Sequence, residues 1–169
     1  PPDPDKIHVR LSDAEVADMG EVMDWIVEQP WSNGRIGTYG VSYSGNAAEI
    51  AAMLNHPALR AVAPQFSSFD FLANLALPGG LHNKHAEAWD AFSILAERTE
   101  NLHVADILIR GYRGAMEANG ETLNSVSPHS RAEAVESSGV PMFVQVGWLD
   151  AATVNGALSR YLTLDNPQQ

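Results

Sequence analysis

Val16, Met19, Val22, Met23, Ile26 and Val27 recur at steps of three and four residues, the spacing that gathers side chains on one helical face. Ser12-Asp13-Ala14-Glu15 just ahead of them has the capping-box form, in which a serine hydroxyl accepts a first-turn N–H and the glutamate reaches back to the cap. Pro30 forbids continuation, so the pattern predicts a helix over residues 13–28. Asn33-Gly34 then signals a turn, and Arg35 to Val41 is short, β-rich and bounded by glycine, which predicts a strand. The alanine-rich stretch from Gly45 to Asn55 favours a helix, with Ile50, Met53 and Leu54 as packing residues, until His56-Pro57 ends it. A second strand is expected at residues 59–64. Strand, helix and strand within about 30 residues make a βαβ unit, whose strands run parallel and connect right-handedly.

From Phe66 to about Ser138 the strand signal disappears. Helical stretches near 83–98, 101–118 and 129–136 take its place, separated by Pro78-Gly79-Gly80, Asn119-Gly120 and Ser127-Pro128. This pattern predicts a helical lid inserted over residues 71–138, between a core part at 1–70 and a return to the core at 139–169. Val140 to Val146 is a nearly continuous apolar run, as expected of a strand covered on both faces, and residues 152–163 can form one more helix. The fold class is therefore α/β, with parallel strands, flanking helices and an inserted helical lid.

At 169 residues the chain is long enough for one domain with a real core. Hydrophobic residues at 45% and charged residues at 18%, with no apolar run near the length of a membrane span, predict a soluble globular protein. A net charge of −11 and the lack of any Lys/Arg cluster argue against nucleic acid and membrane surfaces as partners. The absence of cysteine excludes disulfides, thiol catalysis and thiolate metal sites, and leaves the compartment open.

Candidate chemistry centres on Gly40-Val41-Ser42-Tyr43-Ser44-Gly45, placed where a strand turns into a helix. That is the setting of a nucleophile elbow, in which a strained turn lifts a serine hydroxyl above the sheet and small neighbours let strand and helix approach. In that reading Ser42 is the nucleophile, and the Tyr43 N–H at the helix N-terminus faces the developing oxyanion. The common elbow is G-x-S-x-G, whereas here the second glycine stands three residues after the serine, with Ser44 between. A Gly/Ser-rich strand-to-helix turn is also ordinary packing chemistry. Ser44 is the weaker nucleophile candidate, since Ser42 and Asn46, not glycines, stand two residues to either side.

Asp24-Trp25-Ile26 and the run from Gln29 to Tyr43 closely resemble the X-Pro dipeptidyl-peptidase and cocaine esterase-like acyl hydrolase family of the α/β-hydrolase fold. The resemblance continues in family order through His56 to Pro64, Phe69-Asp70, Pro78-Gly79-Gly80 and Gly147-Trp148-Leu149-Asp150. It implies that Ser42 is the acyl-accepting serine and that Asp150 is the triad acid, Leu149 replacing the usual aromatic neighbour. Asp150 is also well placed simply to cap the helix that follows. The resemblance further implies a histidine after the acid and an oxyanion tyrosine well upstream of the serine. Neither has a counterpart here, so an internal portion of such an enzyme, incomplete without its base, is expected.

Other combinations stay open. Asp70 with His82 or His85 forms a conceivable alternative triad with Ser42, and His103 and His129 also fall in the lid stretch. His82 and His85 have metal-compatible spacing without a clear third ligand, so no metal and no cofactor is expected. Trp89, Phe92, Ile94 and Leu95 suit either an acyl pocket or lid packing. The Ala76 to Gly80 stretch has no carboxylate for a substrate ammonium, which favours a simple acyl esterase over an X-Pro dipeptidyl peptidase. The expected partner is a small ester or amide substrate. A non-catalytic binding module that self-associates or pairs with a complementing chain is the rival of another class, because three strands leave open sheet edges.

Overall fold

A computed structural model of the chain describes residues 11–76, 125–150 and 153–169. Helix α1 spans Asp13–Glu28, as its apolar periodicity predicts, and Ser12 is its N-cap. The Ser12 hydroxyl accepts from the Glu15 N–H at 3.4 Å, while the Glu15 carboxylate accepts from the N–H of Leu11, one residue before the cap. Only Val16 and Met23 of the apolar series are fully buried, and Val22 and Val27 stay exposed. The covered stripe is thus narrower than the periodicity suggests.

Strand β1 (Ile36–Val41) pairs in parallel with β2 (Leu59–Gln65), in a register that sets Val41 opposite Gln65. Between them run α2 (Tyr43–Ile50) and a 3-10 turn, Ala51–Leu54, closed by Asn55 in the left-handed conformation at φ 47°. The helix begins two residues earlier than the alanine-rich pattern implies, because the whole turn out of β1 is made at the single residue Ser42. Segment 140–146 lies parallel beside β2. Its slanted ladder runs from the Val62 N–H to Pro141 O at 3.0 Å, from the Phe143 N–H to Val62 O at 2.9 Å, and from the Gln145 N–H to Pro64 O at 3.1 Å. Pro141 has no N–H to add, and the pairing survives as bridges rather than a continuous strand. Residues 167–169 extend the array beyond it, through the Met142 N–H to Pro167 O at 2.8 Å.

One face of this array is covered and the other is open among the described residues. Met23, Ile36, Ala51, Ala52, Leu59, Val62, Val135, Met142 and Leu164 form the main core cluster, and Leu11, Val16, Ile50 and Val126 a second. Tyr39, Val41, Phe143 and Val146 are exposed. Segment 140–146 alternates between buried and exposed only as far as Phe143 and is increasingly exposed beyond it, so among the described residues it is not the strand covered on both faces that its apolar run predicts.

Of the stretch expected as a lid, the described parts are one π-helical turn (Phe71–Ala76), a 3-10 turn (Pro128–Arg131) and α3 (Ala132–Ser137). The stretches near 83–98 and 101–118, with His82, His85, Trp89, Phe92, Ile94, Leu95 and His103, lie outside the described residues. The final helix, α4, runs from Val154 to Thr163, starting two residues later than expected. Among the described residues, no helix is long and apolar enough to cross a membrane.

Candidate active site

Ser42 stands alone between β1 and α2 with φ 60° and ψ −124°, outside the conformations an L-residue adopts at ease. Such a residue costs on the order of 1–3 kcal/mol and persists only when its surroundings over-determine it. Here the surroundings are backbone. The Ser42 N–H donates to Gln65 O at 2.9 Å, and its carbonyl accepts the Asn46 N–H at 3.0 Å. A side chain at Gly40 would place Cβ 2.3 Å from Ser44 O, and one at Gly45 would place it 2.7 Å from Gln65 O. These two glycines are the clearance that lets α2 rise so close to the two strands. Ser42 is exposed, and its side chain does not cap α2. Ser44, by contrast, lies in the first turn of α2 with no positive φ, so the strained presentation belongs to Ser42 alone.

Tyr43 opens α2, which sets its N–H at the positive end of the helix dipole. Its phenol donates to Glu15 Oε1, tying the residue after the serine to the capping glutamate of α1.

The sheet register decides what else stands near Ser42. Val41 pairs with Gln65 and Gln65 bridges to Gln145, so the three lanes end level with one another at their C-terminal edge. Just beyond that edge come Ser42 on the first lane, Phe66 on the second, and the turn Gly147–Asp150 on the third. Phe66 is itself in the left-handed region at φ 48°, half exposed, and its N–H donates to Gln145 O at 2.9 Å. A bulky residue with positive φ beside the elbow is a second strained turn at the same edge. No sequence signal marked it, since nothing but glycine or asparagine advertises that conformation.

Asp150 closes a turn with its N–H donating to Gly147 O at 3.0 Å. Its carbonyl accepts from the N–H groups of Thr153 (3.3 Å) and Val154 (3.0 Å), and its Oδ2 accepts from the Thr153 hydroxyl. Asp150 therefore does join the start of α4, as the capping alternative supposes, while standing at the same edge as Ser42 and two lanes away. At 4.7–4.9 Å per lane, the ends of the first and third lanes, at Val41 and Gln145, are roughly 10 Å apart. Trp148 and Leu149 beside it are exposed.

Asp70 has a structural occupation. Its Oδ1 accepts from the N–H groups of Leu72 (2.8 Å) and Ala73 (2.9 Å), capping the π-helical turn, while Oδ2 lies 3.7 Å from Nδ1 of His129. The His129 and Phe69 rings meet edge to face, 6.2 Å between centroids.

Sequence reasoning missed the buried pair that joins α2 to α4. Glu49 of α2 and Arg160 of α4, only 1% and 0% exposed in their side chains, meet through two parallel bonds, Nε to Oε1 at 2.6 Å and Nη2 to Oε2 at 2.7 Å. Arg160 also donates to Ser67 Oγ at 3.3 Å and stands 5.2 Å over the Phe69 ring. Among the described residues no group of three or more His, Asp or Glu side chains could hold a metal ion. An apolar recess of about 150 Å³ lies between segment 144–148 and α4, lined by Val144, Val146, Trp148, Leu158 and Tyr161, and includes no residue of the elbow.

Parallel strands, helices threaded between them and a strained serine at the carboxyl edge define an α/β-hydrolase-type fold. Residues 7–169 match the family model described as X-Pro dipeptidyl-peptidase (S15 family), and the chain belongs to that family. A Mycobacterium bovis protein named "Putative serine esterase Mb1866c" is 29% identical over 214 residues, covering 92% of this chain and 34% of its own length. The cocaine esterase of a Rhodococcus species is 40% identical over 65 residues, 38% of this chain and 11% of that protein. The crystal structure of a CocE/NonD family hydrolase from Staphylococcus aureus superposes with a TM-score of 0.72 at 22% identity, over 97% of this chain and 28% of that one. The chain thus spans about a third of the length of the curated relatives it matches most fully.

Proposed function

We propose that this chain carries the nucleophile and the acid of a serine-dependent acyl hydrolase. Ser42 attacks an ester or amide carbonyl, the Tyr43 N–H helps hold the oxyanion, and Asp150 orients a histidine contributed by sequence beyond these 169 residues. The observation that carries the reading is the backbone of Ser42: a non-glycine residue held at φ 60° between a parallel strand and a helix, where its hydroxyl faces solvent rather than capping the helix. The sheet register supports the rest: the lanes that lead to Ser42 and to the Asp150 turn end level with one another, and a histidine bridging the two residues would span roughly 7–8 Å between their oxygens.

In the first step the serine hydroxyl gives its proton to the histidine as its oxygen bonds to the carbonyl carbon, and the oxyanion that forms takes hydrogen bonds from backbone amides. The histidine then hands that proton to the departing alcohol or amine, leaving an acyl-serine that water hydrolyses by the same route. Residues 71–138, read as a lid, would shape the acyl pocket above the serine.

Esterase action is favoured over X-Pro dipeptidyl peptidase action because the 76–80 stretch offers no carboxylate for a substrate ammonium. Short-chain nitrophenyl esters and proline dipeptide anilides, offered to the full-length protein that contains this chain, separate the two. Ester turnover that disappears in Ser42→Ala is expected. Turnover confined to the anilides would reassign the specificity, and ester turnover that survives Ser42→Ala would end the assignment.

A further inference from the structure

We propose that Arg160 and Glu49 form a positioning clamp that holds the Asp150 turn in register with the Ser42 elbow; this rests on the roles given above to those two residues. Glu49 is the seventh residue after Ser42, at the far end of α2, and Arg160 lies in the second turn of α4, whose start is hydrogen-bonded to Asp150. The bidentate bond between them therefore connects the rigid element that begins at the nucleophile to the rigid element that begins at the acid. Its contacts with Ser67 and Phe69 bring in the loop that leaves β2, so α2, α4 and that loop meet at one guanidinium. A second contact holds the near end of α4: a Cβ on Gly156 would stand 2.9 Å from Phe69 N and 2.7 Å from Asn74 Oδ1. Gly156 and Arg160, one helical turn apart, thus tie the first two turns of α4 to the loop after β2 and to α2.

Stability alone is a poor reason to keep such a pair. Desolvating two charges roughly cancels their attraction, and well-packed apolar residues of similar volume often leave a fold as stable or more so. The cost is raised further by the Arg160 Nη1, which is buried and has no hydrogen-bond partner. What an apolar pair cannot supply is the fixed geometry of a planar fork on a carboxylate. Geometry matters here because α2 is a lever of about 10 Å from Glu49 to Ser42 at 1.5 Å per residue, so a tilt of roughly 6° moves the serine by about 1 Å. A displacement of that size can cost about a hundredfold in rate.

The test compares Glu49→Met/Arg160→Met, Arg160→Lys and Ser42→Ala in the full-length protein. For the double variant, a melting temperature at or above wild type, a KM for a nitrophenyl ester within about twofold, and a kcat and a fluorophosphonate labelling rate both lowered at least about tenfold are expected. For Arg160→Lys, which keeps the charge and loses the fork, kcat falls about three- to tenfold. A folded double variant with kcat within twofold of wild type overturns the clamp. Should the double variant fail to fold, Arg160→Lys decides: folded and with unchanged kcat, it overturns the proposal equally. Loss of the underlying reading looks different, because Ser42→Ala would then keep both turnover and label.

Discussion

Replacing Gly45 with alanine sets two effects of opposite sign against each other. Gly45 is the third residue of α2, and in an ordinary helix the exchange is stabilising by about 1 kcal/mol. Here the new Cβ would stand 2.7 Å from Gln65 O, 2.9 Å from Gly40 O and 3.2 Å from Gln65 N, all backbone atoms of the two strands. Reaching an ordinary contact of 3.4 Å from Gln65 O requires α2 to retreat by about 0.7 Å. Forced insertions of this kind cost about 1–3 kcal/mol, and the upper part of that range applies where the obstacle is backbone that cannot change rotamer. The net expectation is a loss of about 1–2 kcal/mol, read as a lowered melting temperature in scanning calorimetry. Because Ser42 leads directly into α2 while its N–H is bonded to Gln65 O, the same retreat strains that turn, and ester turnover of the full-length protein should fall by about tenfold or more. An unchanged or raised melting temperature would show that helix propensity wins, and would refute the account of why glycine stands there.

Three further expectations follow from the same geometry. Asp150→Asn keeps an acceptor for the Thr153 hydroxyl, so the start of α4 should survive with an unchanged melting temperature while kcat drops by about 10²–10⁴; near-wild-type turnover would make Asp150 a cap and nothing more. Ser12→Ala removes the N-cap of α1 and should cost about 0.5–1 kcal/mol in urea denaturation, at the low end for a cap because the bond is 3.4 Å long. Gly40→Ala places Cβ 2.3 Å from Ser44 O, a worse overlap than at Gly45, and should lower the melting temperature further still; a smaller effect than that of Gly45→Ala would contradict the crowding argument.

The local parts of this fold were legible because their causes are local. Residues 13–28 announce a helix through the capping box, the apolar steps and Pro30, and the helix has those bounds. Gly40 and Gly45 around a serine announce a tight strand-to-helix turn, and the structure makes that turn at Ser42 with no room for a side chain at either glycine. Long-range partners left no such trace. In α4 the large apolar side chains Leu158, Tyr161 and Leu162 are exposed, and the buried line along and beside the helix is Thr153, Gly156, Arg160 and Leu164. An arginine reads as surface until the glutamate 111 residues away that neutralises it is known. Phe66 hid for a related reason: its positive φ is imposed by the edge it closes, not by its own preference.

The most direct trial of the serine assignment is to treat the full-length protein with a fluorophosphonate probe, digest it, and locate the adduct by tandem mass spectrometry. The account predicts one adduct, on the hydroxyl of Ser42, that vanishes in Ser42→Ala. An adduct on Ser44, or a Ser42 peptide left unmodified while the protein turns over esters, would contradict it.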